Sequence, residues 1–162
     1  MSNNDNYYSF DEINQAVLGY KTATAQWLLL TEVEKRLFID FAEDVIDNKF
    51  DYIGQRLVPS QLKAFPRNFD EYIENPANQF NKLVYNNRTL PNELKLAIVY
   101  IIDEVLQVDA FRQVITLQDA VNATRVKVSN IELEMEGRGN KYIEAEKVLS
   151  PYLKVHYSFR VF

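Results

Sequence analysis

Residues 94–106 read Leu-Lys-Leu-Ala-Ile-Val-Tyr-Ile-Ile-Asp-Glu-Val-Leu, with ten apolar or aromatic side chains in thirteen positions. Only Lys95, Asp103 and Glu104 are left to face water, so a helix here is buried on most of its circumference and the other helices pack around it. Pro91 stands where such a helix begins, with its φ already set and no orphan N–H. Ahead of it, Ser9 and Glu12 have the spacing of a capping box, and Ile13, Ala16, Val17 and Tyr20 follow at helical intervals, predicting a helix over 10–18. A second start signal, Thr31 with Glu34, opens the longest amphipathic run: Val33, Leu37, Phe38, Phe41, Ala42, Val45, Ile46, Phe50 and Ile53, with Gly54 as its C-cap. Residues 59–67, punctuated by Pro59 and Pro66, predict a short helical turn ending at Phe65. Residues 68–89, rich in Asn and acidic side chains, predict a long surface excursion. The central helix continues or restarts to about Leu117.

Beyond Thr124 the period changes to two. Val126 and Val128, then Ile131, Leu133 and Met135, alternate with charged residues, which predicts two short strands or one strand with a bulge at Ser129-Asn130. After a turn at 137–140, Tyr142, Ile143, Ala145, Val148, Leu149, Tyr152 and Leu153 predict a last short helix bent by Pro151. The final residues alternate again, with Val155, Tyr157, Phe159 and Val161 apolar and Phe162 at the end. The expected fold is mainly α: a helical bundle around a central buried helix, with a small β-hairpin and an extended C-terminal tail. The division is a single helical domain over 1–153 and an interaction tail over 154–162.

The chain has 162 residues, 47% hydrophobic and 13% aromatic, enough for a core of ordinary size. Its net charge of −5 argues against a surface built for nonspecific attraction to phosphate or anionic lipid. The apolar run at 94–106 is far short of the roughly 20 residues that cross a membrane, so no membrane association is expected. There is no cysteine, which excludes disulfides and thiolate chemistry, and the polar start Met-Ser-Asn-Asn-Asp-Asn lacks the pattern of a signal peptide, giving a cytoplasmic origin by default.

Catalytic chemistry is thin. His156 is the one histidine, so neither a histidine metal cluster nor a catalytic triad with an independent second histidine can be built. No glycine-rich phosphate loop occurs among only 4 glycines. Asp103 and Glu104 are adjacent on a helix and point about 100° apart, as a polar stripe does. Glu132, Glu134 and Glu136 share one strand face and read as a solvated sheet face before a cation site. The expectation is a protein that is not an enzyme, with no cofactor and no metal. Trp27 and the many Phe and Tyr could stack bases, but the basic residues are spread out; Arg56, Lys63 and Arg67 are the densest group, and Arg67 reads as a loop anchor rather than a phosphate contact. In the tail, four alternating apolar residues are costly to leave in water, so an interaction tail and an intramolecular strand stay equally open, with Val155, Tyr157, Phe159, Val161 and Phe162 as the contact residues.

Several signals fall in a familiar order. Ser9 and Glu12 with Tyr20, Trp27, the start at Leu30-Thr31 with Glu34-Lys35, Asp47 with Phe50 and Gly54, the segment Gln61-Leu62-Lys63-Ala64-Phe65-Pro66-Arg67, Leu90-Pro91 with Leu94-Lys95, and Val126-Lys127-Val128 resemble a family of tailed-phage head-tail adaptor (connector) proteins. Its members are often labelled DnaT-like single-stranded DNA-binding proteins. The resemblance covers 9–153; Phe65 stands where the family more often has Trp, and the tail lies outside it. It implies a small helical virion protein that forms a ring, dodecameric in the family, beneath the portal at the head-tail interface. Such a ring extends the DNA channel and offers a platform for tail assembly. Portal protein, tail or next connector, other copies of the chain and passing double-stranded DNA would be its partners, and no catalytic set is implied. A closed ring needs two different patches per subunit, and an acidic wall lets DNA slide past. The other reading is a single-stranded DNA-binding accessory protein of phage replication, which requires salt-sensitive binding of oligonucleotides.

Overall fold

The computed structural model describes residues 6–20, 24–70, 90–107 and 142–154. Within them the chain is mainly helical, with five α-helices and one two-stranded antiparallel hairpin. Helix α1 (Phe10–Leu18) starts at the capping box read from sequence: the Ser9 side chain accepts from the Glu12 N–H and Glu12 reaches back to the Ser9 N–H. Helix α2 (Thr24–Leu28) is a short turn that drives Trp27 into the core. Helix α3 (Glu32–Lys49) opens on the same device, built from Thr31 and Glu34. Helix α4 (Asn92–Leu106) follows Pro91, and helix α5 (Ile143–Leu149) runs into a 3-10 turn at Ser150–Tyr152, which accommodates Pro151.

Helix α4 is the hub. It packs on α1, α3 and α5, and Leu94, Ala97, Ile98, Ile101, Ile102, Val105 and Leu106 are sealed from solvent. Ile13 and Val17 of α1, and Phe38, Ala42, Val45 and Ile46 of α3, close on it from two sides. Burying each such side chain is worth roughly 1.5–3 kcal/mol, so this layer of contacts is the main source of cohesion. No helix among the described residues is long and apolar enough to cross a membrane.

Three expectations are corrected. Helix α3 ends at Lys49, not at Gly54, because Phe50 is extended (φ −113°, ψ 147°). The next residues are claimed by backbone pairing with the far end of the chain: Ile53 N donates to Tyr152 O and Lys154 N to Asp51 O, both at 2.9 Å, around an antiparallel bridge between Tyr52 and Leu153. The helical turn expected to end at Phe65 is replaced by the hairpin of β1 (Gln55–Arg56) and β2 (Arg67–Asn68), with Gln55 opposite Asn68 and Arg56 opposite Arg67. The Gln61 side chain bonds the loop's backbone groups: its Oε1 accepts from Val58 N, and its Nε2 donates to Lys63 O and Pro66 O. Third, Asp103 does not face water; it is 7% exposed in the interior of the bundle.

The strands expected at 126–136, the excursion at 71–89, the continuation of the central helix to Leu117 and the tail at 155–162 lie outside the described residues.

Candidate functional site

Two carboxylates on α3 organise one side of the molecule. Glu43, 1% exposed, accepts from the Tyr7 N–H at 3.0 Å and pairs with the Lys63 ammonium. Asp47, one turn later, accepts from the Tyr7 hydroxyl and from Ala64 N at 2.8 Å, and lies 3.7 Å from Lys63 Nζ. The Tyr7 hydroxyl in turn accepts from Phe65 N at 3.1 Å. Helix α3 thus clamps the N-terminal segment and the hairpin together. Burial pushes the Glu43 carboxyl above the usual carboxylate range, with Lys63 pulling the other way, and burial together with Asp47 pushes the Tyr7 phenol well up. These groups are spent on the fold.

Arg67 is spent likewise. Its guanidinium donates to Ile53 O (2.8 Å), Gly54 O (2.7 Å) and Ala64 O (3.1 Å) while lying over the Tyr52 ring, which is the loop-anchoring role expected of it. Trp27 is fully buried with its N–H bonded to Asn14, so it offers no stacking face. Of the basic group singled out in the sequence, Arg56 keeps an exposed head with no carboxylate beside it among the described residues. It sits next to the exposed Leu57, Val58 and Leu62. The tail residues Val155, Tyr157, Phe159, Val161 and Phe162, and Glu132, Glu134 and Glu136, lie outside the described residues.

The open concave surface is elsewhere, along α1 and α4. A groove of about 350 Å³ runs between them, floored by Ala16, Gly19, Leu96 and Val99, with Tyr20 at one end and Lys95 and Asn92 at the other. The Tyr20 ring meets Tyr100 edge to face, 5.2 Å between centroids. Lys95 connects the groove to a second pocket of about 280 Å³ at the start of α1: its ammonium lies 4.7 Å over the Tyr8 ring and 3.5 Å from Glu12, both of which line that pocket. Phe10 forms another wall with the Arg36 guanidinium 4.4 Å over its ring, and Asn6 and Asp40 supply polar edges. Burial and the Glu12 charge push the Tyr8 phenol up to about 12, so it stays a neutral hydroxyl, donating to Pro91 O.

These residues escaped the sequence reading, because Tyr8, Phe10, Tyr20, Arg36 and Lys95 are far apart along the chain and each has an ordinary local role. The one available signal was Lys95, which interrupts the apolar run of α4 and marks where that helix surfaces. Chemically the arrangement offers flat apolar and aromatic surface, amide edges and a few exchangeable cations, which suits planar rings on a charged backbone.

Comparison with curated proteins and with solved structures returned no match. One family model matches, over residues 1–162, and its description is of single-stranded DNA binding. That conflicts with the virion, head-tail connector and portal-binding roles implied by the resemblance, and corrects them. The physical reason is that the shared signals are caps, core positions and loop anchors, which specify a fold and carry no information about an assembly partner. The chain belongs to the family described as "Putative DnaT-like ssDNA binding protein".

Proposed function

We propose that this protein binds single-stranded DNA without catalysis, with the groove between α1 and α4 as its base-stacking surface. The family match over the whole chain carries the reading. The groove supports it in three ways. Tyr20 and Tyr100 with Leu96 and Val99 provide apolar and aromatic surface on which bases stack irrespective of sequence. Lys95, and Arg36 beyond it, have Glu12 and Glu32 as their carboxylate partners at 3.5 and 2.6 Å, on a half-exposed surface where such pairs are worth little, and their contacts with the Tyr8 and Phe10 rings leave the cations able to meet a phosphate. A phosphate can therefore take the place of either carboxylate. The acidic balance of the chain keeps duplex DNA away, because a duplex presents twice the charge and hides its bases.

The test is fluorescence anisotropy of a labelled oligothymidylate at stepped salt, against a duplex of equal length. Single strands should bind more tightly than duplex. Tyr20→Leu, which keeps apolar bulk and loses the ring, should weaken binding about tenfold, the value of one stacked base. Lys95→Gln should weaken it and flatten the salt dependence. No binding at low salt, or equal affinity for duplex, would overturn the reading.

A further inference from the structure

We propose that the hairpin of β1 and β2 is a second contact for a single strand, with Arg56 taking a backbone phosphate and the exposed Leu57, Val58 and Leu62 packing on the base beside it. The inference rests on the single-stranded DNA reading above and adds a surface that the groove does not include.

Charge singles this stretch out. From Tyr52 to Phe69 there is no Asp or Glu, in a chain whose net charge is −5, while Arg56, Lys63 and Arg67 all fall inside it. The fold uses the three cations differently. Lys63 is neutralised by Glu43 and Asp47. Arg67 donates to three neutral carbonyl oxygens, which fix the guanidinium and leave its charge uncancelled. Arg56 stands directly opposite Arg67 in the register of the hairpin, where like charges repel. Burial draws the Arg67 guanidinium below its usual range, with Tyr52 opposing and Arg56 adding to the shift. The flanking carboxylates, Asp51 and Asp70, lie beyond the pair of Gln55 and Asn68, at the base of the hairpin rather than its tip, and Asp51 is paired with Lys154 at 3.1 Å. An anion at Arg56 relieves the repulsion, and that guanidinium has given one Nη1 bond to Gln61 O out of its five donors.

The apolar side chains beside Arg56 say which anion. Leu57, Val58 and Leu62 are 40%, 51% and 89% exposed, yet the loop that carries them is braced: Leu57 N donates to Pro66 O at 3.1 Å, Gln61 N to Val58 O at 3.0 Å, and the Gln61 side chain bonds both limbs. A loop already held in place loses little freedom when it binds. A cation next to fixed aliphatic surface matches a nucleotide, whose phosphate is charged and whose base is flat and largely apolar on its faces. Leucine and similar side chains pack on and between bases in DNA complexes. An anionic lipid surface offers the same pair of chemistries, but it is an extended plane that meets the whole acidic chain, whereas a strand meets the hairpin alone.

The experiment is anisotropy titration, at stepped salt, of a labelled oligothymidylate of about 16 nucleotides, the upper end of single-strand site sizes, alongside an abasic strand of equal length. Arg56→Gln should weaken binding of both strands and take about 0.7 from the salt slope, the share of one phosphate. Leu62→Ser changes a side chain that is 89% exposed and leaves the fold intact. It should weaken the oligothymidylate about fivefold, the worth of a partly buried leucine, and leave the abasic strand unchanged, since only a base meets that side chain. Wild-type affinity and slope in both variants overturn the hairpin contact and leave the groove reading standing, as does a loss in Leu62→Ser that is equal on the abasic strand. Losses in the hairpin variants with none in Tyr20→Leu and Lys95→Gln support the hairpin contact and overturn the groove. Failure of every strand to bind overturns both. Co-sedimentation with phosphatidylglycerol vesicles that Leu62→Ser abolishes, while oligothymidylate binding is unmoved, assigns the tip to lipid and overturns the proposal.

Discussion

At the scale of single residues, Gly54 carries a constraint that only its neighbours explain. It adopts φ +70°, and a Cβ added there would meet Asn68 O at 2.4 Å, the backbone of the facing strand. Gly54→Ala should cost about 2 kcal/mol or more, read as a lowered midpoint in urea unfolding. The sequence reading assigned this glycine to a helix C-cap. The residue type did announce a left-handed conformation; the hairpin that requires it is formed with residues fourteen positions on and could not be seen locally. Asp103 makes the opposite point. It sits buried with Oδ2 accepting from Gln107 and Oδ1 without a hydrogen-bond partner, and burial raises its carboxyl above the usual range. The unfolded chain gives up this proton in the ordinary carboxylate range and the folded chain only at higher pH. Stability from this group is therefore full at acid pH and lost as pH rises through the folded value. Asp103→Asn has no proton to lose, so its melting temperature should fall less than that of the wild type between about pH 4 and about pH 7. At neutral pH it should be the more stable protein by on the order of 1 kcal/mol. Glu43 and Glu104, raised in the same direction by burial, leave a residual slope in the variant.

At the scale of elements, local signals and long-range ones part company along α3. Its start was legible because the Thr31 and Glu34 bonds span three residues. Thr31→Ala should cost about 1 kcal/mol, measured by thermal unfolding. Its end was not legible, because Phe50 and Ile53 continue the apolar helical period while Tyr52 and Ile53 are drawn into pairing with Tyr152 and Leu153, a hundred residues away in sequence. The hairpin depends on α3 in turn. Lys63→Met would leave Glu43, 1% exposed, without its cation, at a cost of about 3 kcal/mol. Faster amide hydrogen exchange over 55–68 should accompany that loss, since the hairpin is docked through Lys63, Ala64 and Phe65. Unchanged exchange there would mean that Arg67 and the backbone bonds of Ala64 and Phe65 hold the hairpin without Lys63.

At the scale of the whole molecule, the proposed binding of single strands by a chain of net charge −5 draws on few unpaired cations. With Lys95 and Arg36 as the phosphate contacts, log affinity should fall with log salt at a slope of about −1.4, from roughly −0.7 per phosphate on single strands. A much steeper slope would place the strand on other basic residues, Arg56 among them.

What the amino-acid order determined by itself was whatever rests on short spans or on summed apolar burial. This includes the two capping boxes, the buried centre at 94–106, the mainly helical class and the anchoring role of Arg67. Each follows from hydrogen bonds within a few residues, from a periodicity that only one face of a helix can satisfy, or from a side chain whose obligations lie in its own loop. Tertiary structure alone decided where α3 stops, that a hairpin replaces a helical turn at 55–68, that Asp103 is interior, and that Tyr20 and Lys95 line one concavity and Tyr8, Phe10 and Arg36 a neighbouring one. Those outcomes depend on which distant backbone or side chain arrives beside a residue, and that is set by the packing of the bundle as a whole.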